Sequence, residues 1–238
     1  MSIKMVMFDL DGTLLPMDMD EFTSGYFKML AAKAAPCGYE LKSLVKAIWH
    51  GVAHMVKNDG HCKNEDAFWE DFVATYGEQA KEDKWIFDEF YANEFQDAKQ
   101  FCGYNPKAAE TVRWIKDRGL RVTLATNPLF PTIATRTRIR WTGLEPEEFE
   151  FFTTYENIGW CKPNLDYYRE VLRRAGLEGE DCLMVGNDVG EDMVAAELGM
   201  KVFLLTDCLI NKGGEDISRY PNGSFDELKA YIDGLLQA

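Results

Sequence analysis

From Pro106 onward the chain alternates strand-length apolar runs with helix-length amphipathic ones, and no other feature narrows the possible folds as much. The runs Leu120–Ala125, Phe149–Thr153, Cys182–Val185 and Lys201–Leu205, together with Ile3–Phe8 near the start, have strand length. Between them, Pro106 to Arg118 opens on proline and closes before Gly119. Asn164 to Ala175 carries Leu165, Tyr168, Val171 and Leu172 at helical spacing and stops at Gly176, and Met193, Val194 and Leu198 precede Gly199. Proline at a helix start and glycine just past its end are the expected punctuation. Such alternation implies a mainly parallel sheet covered on both faces. The expected fold is α/β, an open doubly wound parallel sheet, and sites in such layers lie at the carboxyl ends of the strands.

The stretch from Leu15 to Gly103 breaks the alternation. It shows only helical periods: Phe22, Tyr26, Leu30; Leu41, Leu44, Val45, Ile48; Phe68, Phe72, Val73, Tyr76; Ile86, Phe90. Four amphipathic helices of this kind make a small bundle. The expected division is an α/β core of residues 1–14 and 104–238, with a helical cap of residues 15–103 hanging as a lid over the end of the first strand. Hydrophobic residues at 46% are ample for a packed core,. The net charge of −14 disfavours a nucleic-acid backbone or an anionic membrane surface as partner,. No apolar run approaches membrane-span length, and with the first strand starting at Ile3 no removable leader is expected. The six cysteines are scattered without a C-x-x-C pair, which reads as reduced thiols in a cytoplasmic protein,. Asn222-Gly223-Ser224 matches a glycosylation sequon only by chance on this reading.

The first strand ends in "FDLDGT", two aspartates one residue apart. An acidic turn is the plain reading. A calcium loop fails, because its sixth position would be Leu14 and its twelfth Asp20, with a strand before it in place of a helix,. Three further places complete a constellation at predicted strand ends or helix starts. "LATNP" ends the second strand with Thr126 and Asn127, "CKP" places Lys162 before a helix, and "MVGNDVGED" supplies Asp188 and Asp192. A parallel sheet would gather four carboxylates, one ammonium and one hydroxyl. Clustered carboxylates repel unless protonated or joined by a cation, and all-oxygen ligation suits Mg²⁺. A phosphate clamped between metal and ammonium is the natural occupant.

"FDLDGTLL", "ATN", "KP" and "GNDVGEDM" resemble, in order, the four motifs of the haloacid dehalogenase (HAD) superfamily of phosphotransferases. The helical insertion after the first motif resembles that family's first cap class. The resemblance implies Asp9 as nucleophile forming an aspartyl-phosphate, and Asp11 as the acid and base for the leaving oxygen and the incoming water. It implies that Thr126 and the N–H of Asn127 hold phosphate oxygens and that Lys162 neutralises phosphate and nucleophile. Mg²⁺ would be held by Asp9, the carbonyl of Asp11 and Asp188, with Asp192 acting directly or through water. Dehalogenases and phosphonate hydrolases of the family lack an aspartate at the position of Asp11, so a phosphate ester is implied as substrate. Asn187 stands where many members carry the first aspartate after glycine.

The implied activity is an Mg²⁺-dependent, phosphoglycolate-phosphatase-like hydrolase acting on a small phosphorylated metabolite, with oligomeric state left open. A sugar-phosphate phosphomutase is the nearest rival; such enzymes use a cap arginine for a second phosphate, whereas the first arginine here is Arg113. A non-catalytic binding module is the second rival. All three histidines, His50, His54 and His61, fall in the insertion. His50 and His54 lie one helical turn apart, a spacing that can hold zinc, with Cys62 nearby. No fourth ligand has convincing spacing, and surface or substrate-facing imidazoles are expected. The run "WIFDEFYANEF" reads as bundle core.

Overall fold

The computed structural model describes residues 3–237. Five parallel strands form one sheet: β1 (Met5–Phe8), β2 (Arg121–Leu124), β3 (Cys182–Gly186), β4 (Lys201–Leu205) and β5 (Asn222–Gly223), in the order β2-β1-β3-β4-β5. Met5 is in register with Arg121 on one side and Cys182 on the other. Strand residues alternate between the two faces, and two apolar clusters record this. Val6, Phe8, Leu183, Val185, Phe203 and Leu205 join one cluster; Met5, Met7, Cys182, Met184, Val202 and Leu204 join the other. Helices α6 (Pro106–Asp117) and α9 (Phe225–Gln237) cover the first face, and α8 (Leu165–Ala175) covers the second. The layer is doubly wound, as the alternation implies.

The predicted helix limits are close to those observed. Asn105 caps α6 ahead of Pro106, and Asn164 caps α8 by accepting from the N–H of Asp166,. The run Met193–Leu198 is a 3₁₀ stretch that ends at Gly199, which takes a left-handed conformation,. Phe149–Thr153 runs beside β2 with a single bridge, Leu124 to Phe152, and forms no full strand. One further core helix, α7 (Thr132–Trp141), lies between β2 and that run.

The chain between Pro16 and Gly103 is helical: α1 (Met19–Ala34), α2 (Leu41–Lys57), α3 (Asn64–Tyr76), the one-turn α4 (Gln79–Glu82) and α5 (Lys84–Ala92), then a 3₁₀ run over Glu94–Phe101. Four long helices match the expectation, and the 3₁₀ run adds to it. The segment leaves and rejoins the layer at one point, where Met17 bridges Cys102 and the Gly103 N–H donates to Pro16 O at 2.7 Å. Its apolar interior is continuous with the first cluster: Tyr26 and Phe95 pack with Phe130, Phe90 packs on both Tyr26 and Phe95, and Phe95 reaches Trp141. A second attachment lies at the start of α3. The N–H groups of Asn64 and Glu65 donate to Ile158 O and Tyr155 O at 3.0 and 2.9 Å, which satisfies two donors that a helix start leaves open. The Asn64 amide nitrogen also lies within 3.4 Å of Pro128 O, Trp160 O and Cys161 Sγ.

Candidate active site

Asp9 follows directly on β1 and is buried. Its N–H still donates to Val185 O at 2.9 Å, so the neighbouring strand fixes its backbone. The chain then turns back, with the Gly12 N–H on Leu15 O and the Leu15 N–H on Leu10 O. Gly12 has φ +80°, and a Cβ there would overlap the Asn187 side chain, so only glycine fits,. The hydroxyl of Thr13 lies 2.9 Å from Asn187 Oδ1 and 3.3 Å from Asp9 Oδ2.

Lys162 is buried, and its Nζ donates to Asp9 Oδ1 at 2.9 Å and to Asp192 Oδ1 at 2.7 Å. Its own N–H donates to Asn127 Oδ1 at 3.3 Å, and the following Lys162–Pro163 peptide is cis. Asp192 reaches the ammonium because β3 ends in Gly186, where a Cβ would overlap the Asp192 carboxylate. The other Asp192 oxygen accepts the N–H of Asp188 at 3.0 Å. Asp188 in turn uses Oδ1 to accept the N–H groups of Gly190 and Glu191 at 2.8 and 3.0 Å. Thr126 is buried at the end of β2, its carbonyl accepting from Thr153 Oγ1 at 2.6 Å and Tyr167 OH at 2.9 Å.

Asp11 is engaged elsewhere. Its carboxylate pairs with Arg138 of α7, whose guanidinium is fully buried, 4.1 Å from the centre of the Phe130 ring and 3.4 Å from Thr135 Oγ1. Asp11 Oδ1 and Arg138 Nε are buried with no hydrogen-bond partner. Next to Phe130 is an aromatic chamber of about 100 Å³ lined by Tyr26, Trp49, Trp69, Tyr91 and Tyr155.

These surroundings set the charges. Burial works against the Lys162 ammonium, but the Asp192 and Asp9 carboxylates outweigh it and hold its pKa well above the ordinary lysine value. Burial pushes Asp192 up to about 6 against the pull of Lys162. Burial likewise raises Asp11, opposed by Arg138. Glu191, which accepts from Asn127 Nδ2 at 3.0 Å, is pushed up to about 7 by burial.

Of the residues expected from sequence, Asp9, Lys162 and Asp192 are therefore in direct contact. Asp188 is joined to Asp192, and Asn127 to Lys162, with Thr126 beside it. The Asp11 side chain bonds to none of these. Sequence reasoning missed Arg138 and Glu191, and it gave Thr13 no role. Thr13 sits within the quoted first segment, and Glu191 sits beside Asp192 in the last. Arg138 has no comparable local signal.

A dication fits the donor set in kind. Asp9 and Asp188 offer hard carboxylate oxygens, Asp188 accepting its two N–H groups through Oδ1; such oxygens suit Mg²⁺. Asp192 fits least well, since both of its oxygens are already taken by Lys162 and by a backbone N–H. Among the described residues, these carboxylates do not form a set of three or more with all ligand atoms within 4.8 Å.

Comparison with known proteins adds four findings. A family model described as haloacid dehalogenase-like hydrolase matches residues 3–199. Glyceraldehyde 3-phosphate phosphatase of Methanocaldococcus jannaschii is 30% identical over 132 residues, covering 55% of this chain and 57% of that protein. The chain thus spans little more than half the length of that relative. Phosphoglycolate phosphatase 1 of Pseudomonas aeruginosa is 24% identical over 212 residues, covering 85% of this chain and 69% of its own length. In fold, the chain is similar to the crystal structure of 2-haloacid dehalogenase from Pseudomonas syringae pv. Tomato, with TM-score 0.65, 19% identity and coverage of 98% and 99%.

Proposed function

Because this chain belongs to the haloacid dehalogenase-like hydrolase family, we propose that it is a cytoplasmic Mg²⁺-dependent phosphatase that hydrolyses a small-metabolite phosphomonoester through an aspartyl-phosphate. The observation that carries this reading is the buried Lys162 ammonium bonded to both Asp9 and Asp192 at the carboxyl end of a parallel sheet. A nucleophilic carboxylate and an anionic phosphate both need such a cation, whereas a structural ion pair does not need it at strand ends.

In this reading Lys162 fixes Asp9 by one oxygen and leaves the other, lightly held by Thr13, to attack phosphorus. The bond from phosphorus to the ester oxygen breaks as the aspartyl-phosphate forms. Asp11 gives its proton to the leaving oxygen, then takes one from the water that attacks phosphorus. That attack breaks the bond between phosphorus and the Asp9 oxygen, frees Asp9 and releases phosphate. Asp11 acts through Oδ1, which has no hydrogen-bond partner, while its other oxygen stays paired with Arg138. Thr126 and the Asn127 N–H bind phosphate oxygens. Asp9, the Asp11 carbonyl and Asp188 would hold Mg²⁺, with Asp192 reaching it through water. When bound, the ion supplies positive charge against the phosphoryl oxygens. Asp192 then serves chiefly to place Lys162. The helical segment between Pro16 and Gly103 acts as the lid that keeps bulk water from the first step.

The test is phosphate release by purified protein from a panel of esters, with Mg²⁺ and with chelator. Phosphoglycolate and glyceraldehyde 3-phosphate head the panel because the relatives' names point to them. Esters of aromatic alcohols follow, because the chamber beside Phe130 offers aromatic walls. Turnover should stop with chelator and return with Mg²⁺. Asp9→Asn should lower it by about three orders of magnitude or more. Full activity in that variant would remove the nucleophile, and transfer between two hydroxyls without net phosphate release would favour the mutase.

A further inference from the structure

The strongest unassigned cluster lies on the helical segment, far in sequence from Asp9, Lys162 and Asp192. His50 and His54, one turn apart on α2, both present exposed imidazoles. α2 and α3 approach closely at Gly51, where a Cβ would overlap the Phe68 ring. That closeness brings Asp71, three residues after Phe68 on α3, against both histidines. Each Asp71 oxygen lies 2.8 Å from His50 Nδ1, and Oδ1 lies 3.1 Å from His54 Nε2. The two rings are 5.2 Å apart, centre to centre.

Asp71 is itself buried, yet among the described residues no lysine or arginine pairs with it. A buried carboxylate facing two imidazoles lacks a permanent positive partner, and buried charges are normally paired or coordinate a metal. The three ligand atoms all lie within 4.8 Å of one another. A tetrahedral zinc ion holds nitrogen and carboxylate ligands at roughly 2.0–2.2 Å, which sets ligand atoms about 3.4 Å apart. To reach that spacing from Asp71, His50 Nδ1 would open by about 0.6 Å and His54 Nε2 by about 0.3 Å, a movement that exposed imidazoles can make,. Solvent would supply the fourth ligand, since the histidines are exposed. Two imidazoles and one carboxylate select a zinc-class dication over Mg²⁺.

We propose that His50, His54 and Asp71 form a binding site for a zinc-class divalent cation that fastens α2 to α3, separate from the carboxylate nest around Asp9. The proposal does not depend on the phosphatase reading.

Cobalt tests it on the full-length, metal-stripped protein in the presence of excess Mg²⁺. One equivalent of Co²⁺ should bind with a tetrahedral ligand-field spectrum that lacks a thiolate charge-transfer band. Zn²⁺ should displace it and raise the melting temperature until one equivalent is bound. His50→Gln and His54→Gln, both at exposed positions, should each weaken cobalt binding at least ten-fold while leaving phosphate release without zinc unchanged. Asp71→Asn, which keeps the side-chain shape, should behave alike. Equal cobalt affinity in the double histidine variant would overturn the site. So would a thiolate band assigning the metal to Cys62 or Cys37, or no binding by the native chain, which would leave the cluster as a hydrogen-bonded His–Asp pair.

Discussion

The Asp11–Arg138 pair sits where an ion pair is most costly to halve. Arg138 is fully buried, so loss of its partner strands a guanidinium out of water. Asp11→Asn is therefore expected to lower stability by about 3–5 kcal/mol in addition to removing the acid, as read by urea denaturation. Asp11→Leu combined with Arg138→Met should recover most of that loss; an unchanged midpoint in the single variant would show that water reaches the guanidinium. This pair also marks the limit of what could be read beforehand. Asp9, Lys162 and Asp192 are legible because each ends a strand or precedes a helix, so local pattern alone tells where they will meet. Arg138 belongs to "TRTRIRW", where Arg136 and Arg140 have the same kind of neighbours. Those two reach Glu147 and Glu145 at the surface, and only the packing of α7 against Phe130 decides which arginine goes inside.

Among elements, α8 shows how a helix end can depend on acid. Glu170 accepts from Arg173 and Arg174. The Arg173 bonds first, and those from Arg174 after the opposing effect of burial, hold its carboxyl down at about 2 against an ordinary value of 4.5. Because the folded value is depressed, the stabilisation is complete above pH about 4.5 and is lost as pH falls from there through about 2,. Glu170→Gln should flatten this part of the acid limb, visible as a smaller drop in melting temperature between pH 5 and pH 3 than in the native chain, by roughly the small amount usual for partly exposed pairs. An identical drop would assign the acid sensitivity elsewhere. Elements with a clean period, such as α6 and α8, were legible in the sequence. α7 was not, since it buries Thr135 and Thr137 along with Ala134 and Ile139 and so hides its apolar stripe. β5 carries only Asn222 and Gly223 and has no apolar signal at all.

At the scale of the molecule, one apolar cluster runs from β1 through the helical segment to α9, including Phe8, Tyr26, Phe95, Leu124 and Ile232. Phe95 is fully buried at its middle and touches rings from both sides, Tyr26 and Phe90 above and Phe130 and Trp141 below. Phe95→Ala should cost about 3–5 kcal/mol, and calorimetry should show the whole chain melting as one transition at lower temperature. Two separated transitions would mean that the helices fold apart from the sheet. The anchoring of α3 by Asn64 has a last consequence. One side-chain amide meets two carbonyls and a sulfur from two different loops of the sheet layer, so lifting the helices there strips all three at a stroke. Any such movement would be the release of a catch in place of the drift of a flap, with the Asn64 side chain sharing the hold with the N–H groups of Asn64 and Glu65.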